Sequence, residues 1–517
     1  MRLNRRLALF LPGILLLTSI PSPFLSAQEL SGEAVAAALE KSFVTAIEKA
    51  EPSVVAISRL RRNEVVSPLF DDRANAPFPM ARPQGAVSDD PDNPDFVPRD
   101  FGSGVIIAVD PQEADERRAY ILTNYHVVRG GPVIGSDDQP DSNLHVRLFG
   151  GKGHYAQIHA ADPRSDLAVL VIPAEDARPI TLGDGAAVRK GQFVLTIGNP
   201  YAVGRDGSSS VSWGIVSNLT RRPDPQRNAS AENPQKAETM QDLGHLIQVD
   251  ARMNLGVSGG ALINLKGELV GLSTSLAAIS GYEKSAGFAI PIDKTNLRII
   301  DTLKAGKEVE YGFLGVSLLG PGGLPFDGFG RIRRSAGNRS GVLVMSVVAN
   351  SPADKGGMQD QDQVISINGI PVNTRSDLMR EIGKLAPEET ANLEVLRNIN
   401  PDPIPLTIVL GKWPVLDEEG IVAPTPRYQP WRGLSVDYPT GRSRFTAIIG
   451  ATFPNAVVVT RISPDSSAAR AQLEPGSFIT KVNERPVATP REFHTAVENL
   501  KGPVSLTLND GKKISLD

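Results

Sequence analysis

The chain of 517 residues contains no cysteine. That excludes a disulfide framework, thiol catalysis and cysteine-ligated zinc. It leaves export open, since a protein without disulfides can work in an oxidising compartment. An excess of either charge is also missing. The 54 Lys and Arg residues nearly balance 58 Asp and Glu, for a net charge of −4, which argues against a nucleic-acid partner. Beyond the N-terminus no run approaches the ~20 apolar residues of a membrane helix. Neither an HExxH string nor a P-loop occurs, so no metal or other cofactor is expected. His154 and His159 are an odd number of positions apart on one expected strand. They face opposite sides and make a poor metal pair.

What is present suits a soluble globular protein, with 41% hydrophobic and 22% charged residues. The length is too great for one core and implies about two to four domains. The 48 glycines and 41 prolines favour strands and turns over helices. Arg2, Arg5 and Arg6 precede an apolar run from Leu7 to Ile20, and Ser26 and Ala27 stand before Gln28. This reads as a signal peptide over residues 1–27 and an exported, periplasmic mature protein. Leu25 is not the small residue best suited to cleavage, so a retained membrane anchor stays open.

The most informative stretch is Gly256-Val257-Ser258-Gly259-Gly260-Ala261-Leu262. Glycines around a serine let the backbone turn sharply beside a substrate carbonyl. Consecutive N–H groups in such a turn can stabilise an oxyanion. A serine hydroxyl needs a base. Of six histidines, only His126 directly follows a buried-looking strand, Ala119 to Thr123. The carboxylate that fixes the imidazole tautomer is assigned to Asp166, at the start of the apolar run Leu167 to Ile172. For His126 or Asp166 alone a purely structural role is the simpler reading; the three together point to a catalytic triad.

Several segments resemble the HtrA (Deg) family of serine proteases: Gly102-Ser103-Gly104-Val105-Ile106-Ile107, Leu122-Thr123-Asn124-Tyr125-His126-Val127-Val128, Ser165-Asp166-Leu167-Ala168-Val169-Leu170 and Asn254 to Leu262. Ile197-Gly198-Asn199-Pro200 and Gly287-Phe288-Ala289-Ile290-Pro291 resemble it too. The resemblance spans roughly residues 32–517. It implies a mainly β protein, with a chymotrypsin-like double β-barrel protease domain followed by α+β PDZ domains. It also implies an ATP-independent endopeptidase, assembled as homotrimers or larger oligomers, that acts on unfolded or damaged proteins. The N–H groups of Gly256 and Ser258 would form the oxyanion hole. Met253 and Leu276 match positions lining the primary specificity pocket. Both are apolar, which predicts cleavage after small or medium aliphatic residues. Val257 stands where the family usually has asparagine, and a β-branched residue there can disfavour the formed hole. A proteolytically silent peptide-binding scaffold or holdase chaperone is therefore the alternative.

Ser31 to Lys49 reads as a short amphipathic helix capped by Ser31, and Val54 to Ile57 as the first barrel strand. Polar tracts at 61–102, 130–143 and 221–242 read as insertions between strands. The final third repeats itself. Asn350-Ser351-Pro352-Ala353 and Val364 to Val372 recur 115 positions later, at Asp465-Ser466-Ser467-Ala468 and Ile479 to Val487. Each copy reads strand, short helix, strand, turn, strand, helix, and resembles a PDZ domain, which takes up an extended C-terminus at a sheet edge. The carboxylate loop would be Phe313-Leu314-Gly315-Val316 in the first copy and Arg432-Gly433-Leu434-Ser435 in the second. The expected domains are a protease at 31–305, PDZ domains at 311–412 and 431–517, and a stiff proline-rich linker at 413–430. Partners would be unfolded proteins or peptides, with no nucleic acid and no membrane beyond the N-terminal segment.

Overall fold

The computed structural model describes residues 32–61, 91, 98, 100–111, 117–131, 133, 142–174, 176–199, 207–221, 239–241, 243–274, 287–318, 341–397, 400, 402–415, 418, 420–442, 445 and 454–517. The expected signal segment, most of the three polar tracts and Leu276 lie outside these residues. The chain divides into two units, Met1–Ser42 and Phe43–Asp517. Helix α1, Gly32–Ala50, begins in the first and ends in the second. All that follows belongs to the second unit.

A closed barrel is formed by β1 (Val54–Arg61), β2 (Asp100–Val109), β3 (Arg118–Asn124), β4 (Ser142–Arg147), β5 (Gly153–Asp162) and β6 (Leu167–Pro173). The one-turn helix α2, Tyr125–Val128, follows β3. A second sheet comprises β7 (Thr181–Leu182), β8 (Phe193–Gly198), β9 (Ser210–Arg221), β10 (Leu246–Val249), β11 (Ala261–Ile263), β12 (Glu268–Thr274) and β13 (Gly287–Pro291). Pairing of β11 with both β8 and β12 closes six of these strands into another barrel.

The apolar runs of the core strands follow from this two-barrel arrangement. Along β6, Ala168, Leu170 and Ile172 fill the first barrel. The alternate residues Leu167 and Val169 enter a different cluster, shared with Leu195 and Ile197 of β8. Each such strand is covered on both faces, so its sequence reads as continuously hydrophobic. Helix α3, Lys294–Lys304, is capped by Asp293 and buries Ile299, Ile300 and Leu303 in the same shared cluster.

Two smaller modules follow. The first contains β14 (Gly312–Phe313), β15 (Val316–Leu318), β16 (Val342–Val347), helix α4 (Pro352–Lys355), β17 (Gln363–Ile367), β18 (Ile370–Pro371), helix α5 (Arg375–Gly383), β19 (Thr390–Leu396), β20 (Ile404–Val409) and β21 (Gly411–Lys412). The second contains β22 (Leu434–Asp437), β23 (Val457–Ile462), helix α6 (Ser467–Arg470), β24 (Phe478–Val482), β25 (Arg485–Pro486), helix α7 (Pro490–Val497), β26 (Val504–Leu508) and β27 (Lys513–Leu516). The sheet orders β15-β16-β17-β19-β20 and β22-β23-β24-β26-β27 match, as the sequence repeat predicts. Thr374 and Thr489 each close a capping box on the module's longer helix.

Residues from all the modules meet in a buried ionic clasp. Lys412, 1% exposed, reaches Glu308 at 2.9 Å, Glu310 at 3.2 Å and Asp437 at 2.9 Å. Arg442 adds a bond to Glu308 at 3.1 Å. Burial alone would raise the Glu308 pKa, but Lys412, Arg442 and Arg164 draw it down to about 2. The segment expected as a stiff linker makes backbone bonds to its surroundings. Val422 exchanges two backbone hydrogen bonds with Ala161, and the Thr425 N–H donates to the Gly306 carbonyl.

Candidate active site

The register of β3 against β6 ends on the rung Asn124↔Leu167. The residues just beyond it on each side, Tyr125-His126 and Asp166, are thereby neighbours. The Tyr125 N–H and the Asn124 side-chain amide both donate to the Asp166 carbonyl, at 3.0 and 3.2 Å. The His126 N–H donates to Asp166 Oδ1 at 3.0 Å, and the imidazole Nδ1–H donates to Oδ2 at 2.8 Å. A carboxylate acceptor at Nδ1 keeps the proton there and leaves Nε2 with its lone pair. Val127 and Val128 are buried in the first barrel and anchor the helical turn that carries the ring.

Asp166 itself has φ 54°, in the left-handed region. The turn that holds it there is braced from below. Asp162 accepts from the Ser165 N–H at 3.0 Å and from Arg164 Nε at 2.9 Å. The Tyr311 hydroxyl, just ahead of β14, also donates to Asp162. Burial and the Asp162 carboxylate raise the Tyr311 phenol well above its usual pKa, so it stays a donor. The Gln241 side-chain amide donates to the Ser165 carbonyl. A residue at the junction to the first small module thus supports the turn that carries Asp166.

Ser258 is 4% exposed, in the turn leading to β11. Its carbonyl accepts the Ser103 N–H at 2.8 Å. A Cβ added to Gly102 would lie 2.6 Å from the Val127 side chain and 3.3 Å from the Ser258 carbonyl. Gly102 is thus the narrow wall between the His126 turn and the Ser258 turn, and no side chain fits between them. Gly102, near the start of β2, lies beside Val127, which follows His126, and beside the Ser258 carbonyl.

Gly256, assigned to the oxyanion hole, has φ +96°. A Cβ there would fall 2.6 Å from the Asn199 carbonyl and 2.7 Å from the Phe101 ring. Val257 is 6% exposed, with its Cα and Cγ1 each 3.2 Å from the Cβ position of Gly198. An apolar side chain is accommodated in that niche. Met253 packs on Gly287 at the start of β13, its sulfur 2.8 Å from where a Cβ would stand. Its proposed partner Leu276 is outside the described residues. Leu255 and Arg252 are exposed.

In the first small module Gly315 has φ +82°, and a Cβ would fall 2.4 Å from that of Ser351. The Leu314 carbonyl accepts from Ala353, and the Gly315 carbonyl from Val348. Phe313, Leu314, Gly315 and Val316 thus form a loop strapped to the start of α4, opening onto the edge strand β15. In the second module the same bonds join Arg432 to Ala468 and Gly433 to Ser463. Gly433, with φ +80°, is the counterpart of Gly315. The equivalent loop therefore begins at Trp431, one residue earlier than the sequence match at Arg432 suggested.

Comparison with known proteins adds to this geometry. A trypsin-like peptidase domain model matches residues 102–272, and a PDZ domain model matches residues 312–407. A probable periplasmic serine endoprotease DegP-like of Ectopseudomonas mendocina is 31% identical over 493 residues, 93% of each chain. Another from Pseudomonas fulva is 31% identical over 491 residues, 91% of each. A third, from Halomonas elongata, is 29% identical and covers 96% of this chain and 94% of its own. A solved HtrA-type protease AlgW with decapeptide is 27% identical over 72% of this chain and 99% of that chain, with a TM-score of 0.47.

Proposed function

The chain belongs to the family of DegP-like periplasmic serine endoproteases, and on that premise we propose that His126, Asp166 and Ser258 are its catalytic triad. The observation that carries this reading is the 2.8 Å bond from His126 to Asp166, with Gly102 in contact range of both Val127 and the Ser258 carbonyl. His126 Nε2 takes the Ser258 proton as the hydroxyl oxygen attacks a peptide carbonyl. Asp166 orients the ring and stabilises the imidazolium. The N–H groups of Gly256 and Ser258 receive the oxyanion. His126 then passes its proton to the leaving amine, and water releases the acyl group from Ser258.

We assign residues 31–305 to the protease domain, 311–412 and 431–517 to PDZ domains and 413–430 to the linker. Phe313 to Val316 would hold the carboxylate of a peptide C-terminus, with the peptide adding to the edge of β15. Met253 and Leu276 would make the primary pocket apolar. The substrates would be unfolded or damaged proteins of the periplasm, reached through the signal segment at residues 1–27. Assembly into trimers or larger oligomers is supported by an exposed aromatic group. Phe43, Phe193 and Trp213 have ring centroids 5.6–6.1 Å apart, and Trp213 is 59% exposed. Apolar aromatic clusters of this kind favour burial against another chain.

A fluorophosphonate probe tests the catalytic reading directly. Labelling should occur in the wild type and vanish in Ser258→Ala, with casein digestion lost in step. A folded wild type that takes up no label would instead support the silent scaffold, for which no observation speaks at present.

A further inference from the structure

We propose that Ser103, in β2 of the first barrel, is a positioning residue for the oxyanion hole: its buried hydroxyl holds Gly256 in the orientation that aims its N–H at the substrate oxygen. This rests on the triad and hole assigned above and adds the group that fixes the hole's shape.

Ser103 is fully buried. Its Oγ donates to the Gly256 carbonyl at 2.7 Å and accepts the Asn199 N–H at 2.9 Å. Its own N–H donates to the Ser258 carbonyl at 2.8 Å. Its carbonyl accepts from the Thr123 hydroxyl at 2.7 Å. One residue of the first barrel thus grips the nucleophile turn of the second at two carbonyls, on either side of Val257. The two grips differ in kind. The bond to Ser258 is made by backbone and any residue at 103 retains it. The bond to Gly256 needs the hydroxyl.

Gly256 is where such a restraint has most effect. Glycine at φ +96° has no Cβ to confine it and turns readily about its own bonds. Rotation about its N–Cα bond would swing the Leu255–Gly256 peptide, and with it the N–H, away from the site; the held carbonyl lies in the next peptide, so the hydroxyl acts on the N–H by anchoring the Cα they share. The Ser103 hydroxyl ties the Gly256 carbonyl to Asn199, whose backbone walls the other side of the glycine. Removing it leaves a buried acceptor and a buried donor unpaired, and the turn can recover both partners only by moving. His126 and Asp166 make none of these contacts, so the base should be untouched.

The test compares Ser103→Ala with wild type on a chromogenic peptide with an aliphatic residue before the cleaved bond. We expect kcat to fall about tenfold to hundredfold, below the ~10²–10³ cost of deleting a hole donor outright. KM should stay within about twofold, because only a transition-state contact is weakened. A peptidyl boronic acid, whose tetrahedral oxygen occupies the hole, should lose affinity in proportion to kcat, while the cleaved product peptide binds unchanged. The acid limb of the kcat–pH profile should keep its midpoint. Ser103→Thr, which keeps the hydroxyl, should restore boronate affinity. If Ser103→Ala does not fold, Ser103→Cys, a slightly larger side chain with a weaker donor, carries the same comparison. Equal boronate affinity in wild type and variant would overturn the proposal, as would a parallel loss of product binding, which marks a merely structural role. A wild type that neither labels with fluorophosphonate nor binds the boronate would overturn the triad itself, a separate failure.

Discussion

The two small modules at the C-terminal end are built alike and placed differently. Leu378 and Ile382 of α5 fill one core as Phe493 and Val497 of α7 fill the other, 115 positions on. The asparagine after β17 and the one after β24 both lock their turns, Asn368 to Asn392 and Asn483 to Ser505. Outside the cores they diverge. Helix α5 lies against the protease: Arg380 donates to the Leu243 carbonyl, and Gly383 admits Met240. Helix α7 instead meets the proline-rich segment ahead of β22, where Tyr428 stacks on His494 at 4.3 Å between centroids. A cavity of about 330 Å³ is lined by residues of β22, by Pro490 and His494 of α7 and by Pro424, Pro426 and Tyr428, and it reaches Lys412 of the clasp. Core residues decide that each copy folds, and the surroundings set the two copies apart.

The sharpest way to break this difference is Lys412→Met. It strips the shared cation from Glu308, Glu310 and Asp437, and breaking a buried ion pair costs about 3–5 kcal/mol. The second module should then show a separate, lower thermal transition while the barrels melt as before. Gly315→Ala and Gly433→Ala come next. Both put a Cβ into a serine and into left-handed backbone, at about 1–3 kcal/mol each. By calorimetry Gly315→Ala should abolish binding of a C-terminal peptide and Gly433→Ala should leave it intact. Equal losses would mean both grooves are in use.

Acid should loosen the clasp with a defined sign. The Glu308 carboxyl titrates lower in the fold than its ordinary 4.5. Its contribution is complete above that value and is lost as pH falls toward about 2. Glu310 goes the other way: burial raises its pKa despite Lys412, so protonating it relieves a cost. Glu308→Gln should therefore destabilise the clasp at neutral pH more than Glu310→Gln, by differential scanning calorimetry. The smallest change expected is for Tyr428→Ala, about 0.5–1.5 kcal/mol of lost ring stacking. Burial, then Arg427, holds the His494 pKa below its ordinary value. Uncovering the ring should raise it, by NMR titration, and the second groove should gain peptide affinity.

Much of this was legible in the residues. Apolar runs at Leu122 and Leu167, the glycines around Ser258 and the 115-residue repeat each report a local constraint that side-chain type encodes. The register of the second loop was not legible, because Gly433 lies 118 positions from Gly315 where the flanking serines lie 115 apart. Only its positive φ and its contact with Ser466 reveal the match. Ser103 and Tyr311 gave no warning either. Serine and tyrosine are common residues, and what distinguishes these two is a partner more than a hundred positions away.

The amino-acid order by itself therefore determined the kinds of unit present, the residues proposed as nucleophile, base and acid, and the duplication, since periodicity and glycine placement act over a few residues. Tertiary structure alone decided that Gly102 touches both the turn after His126 and the Ser258 turn, that one hydroxyl bonds the Gly256 carbonyl, and that Lys412 joins the modules. Those depend on which strands share a rung and which charges lose water together, and distances of that kind are created only when the barrels close.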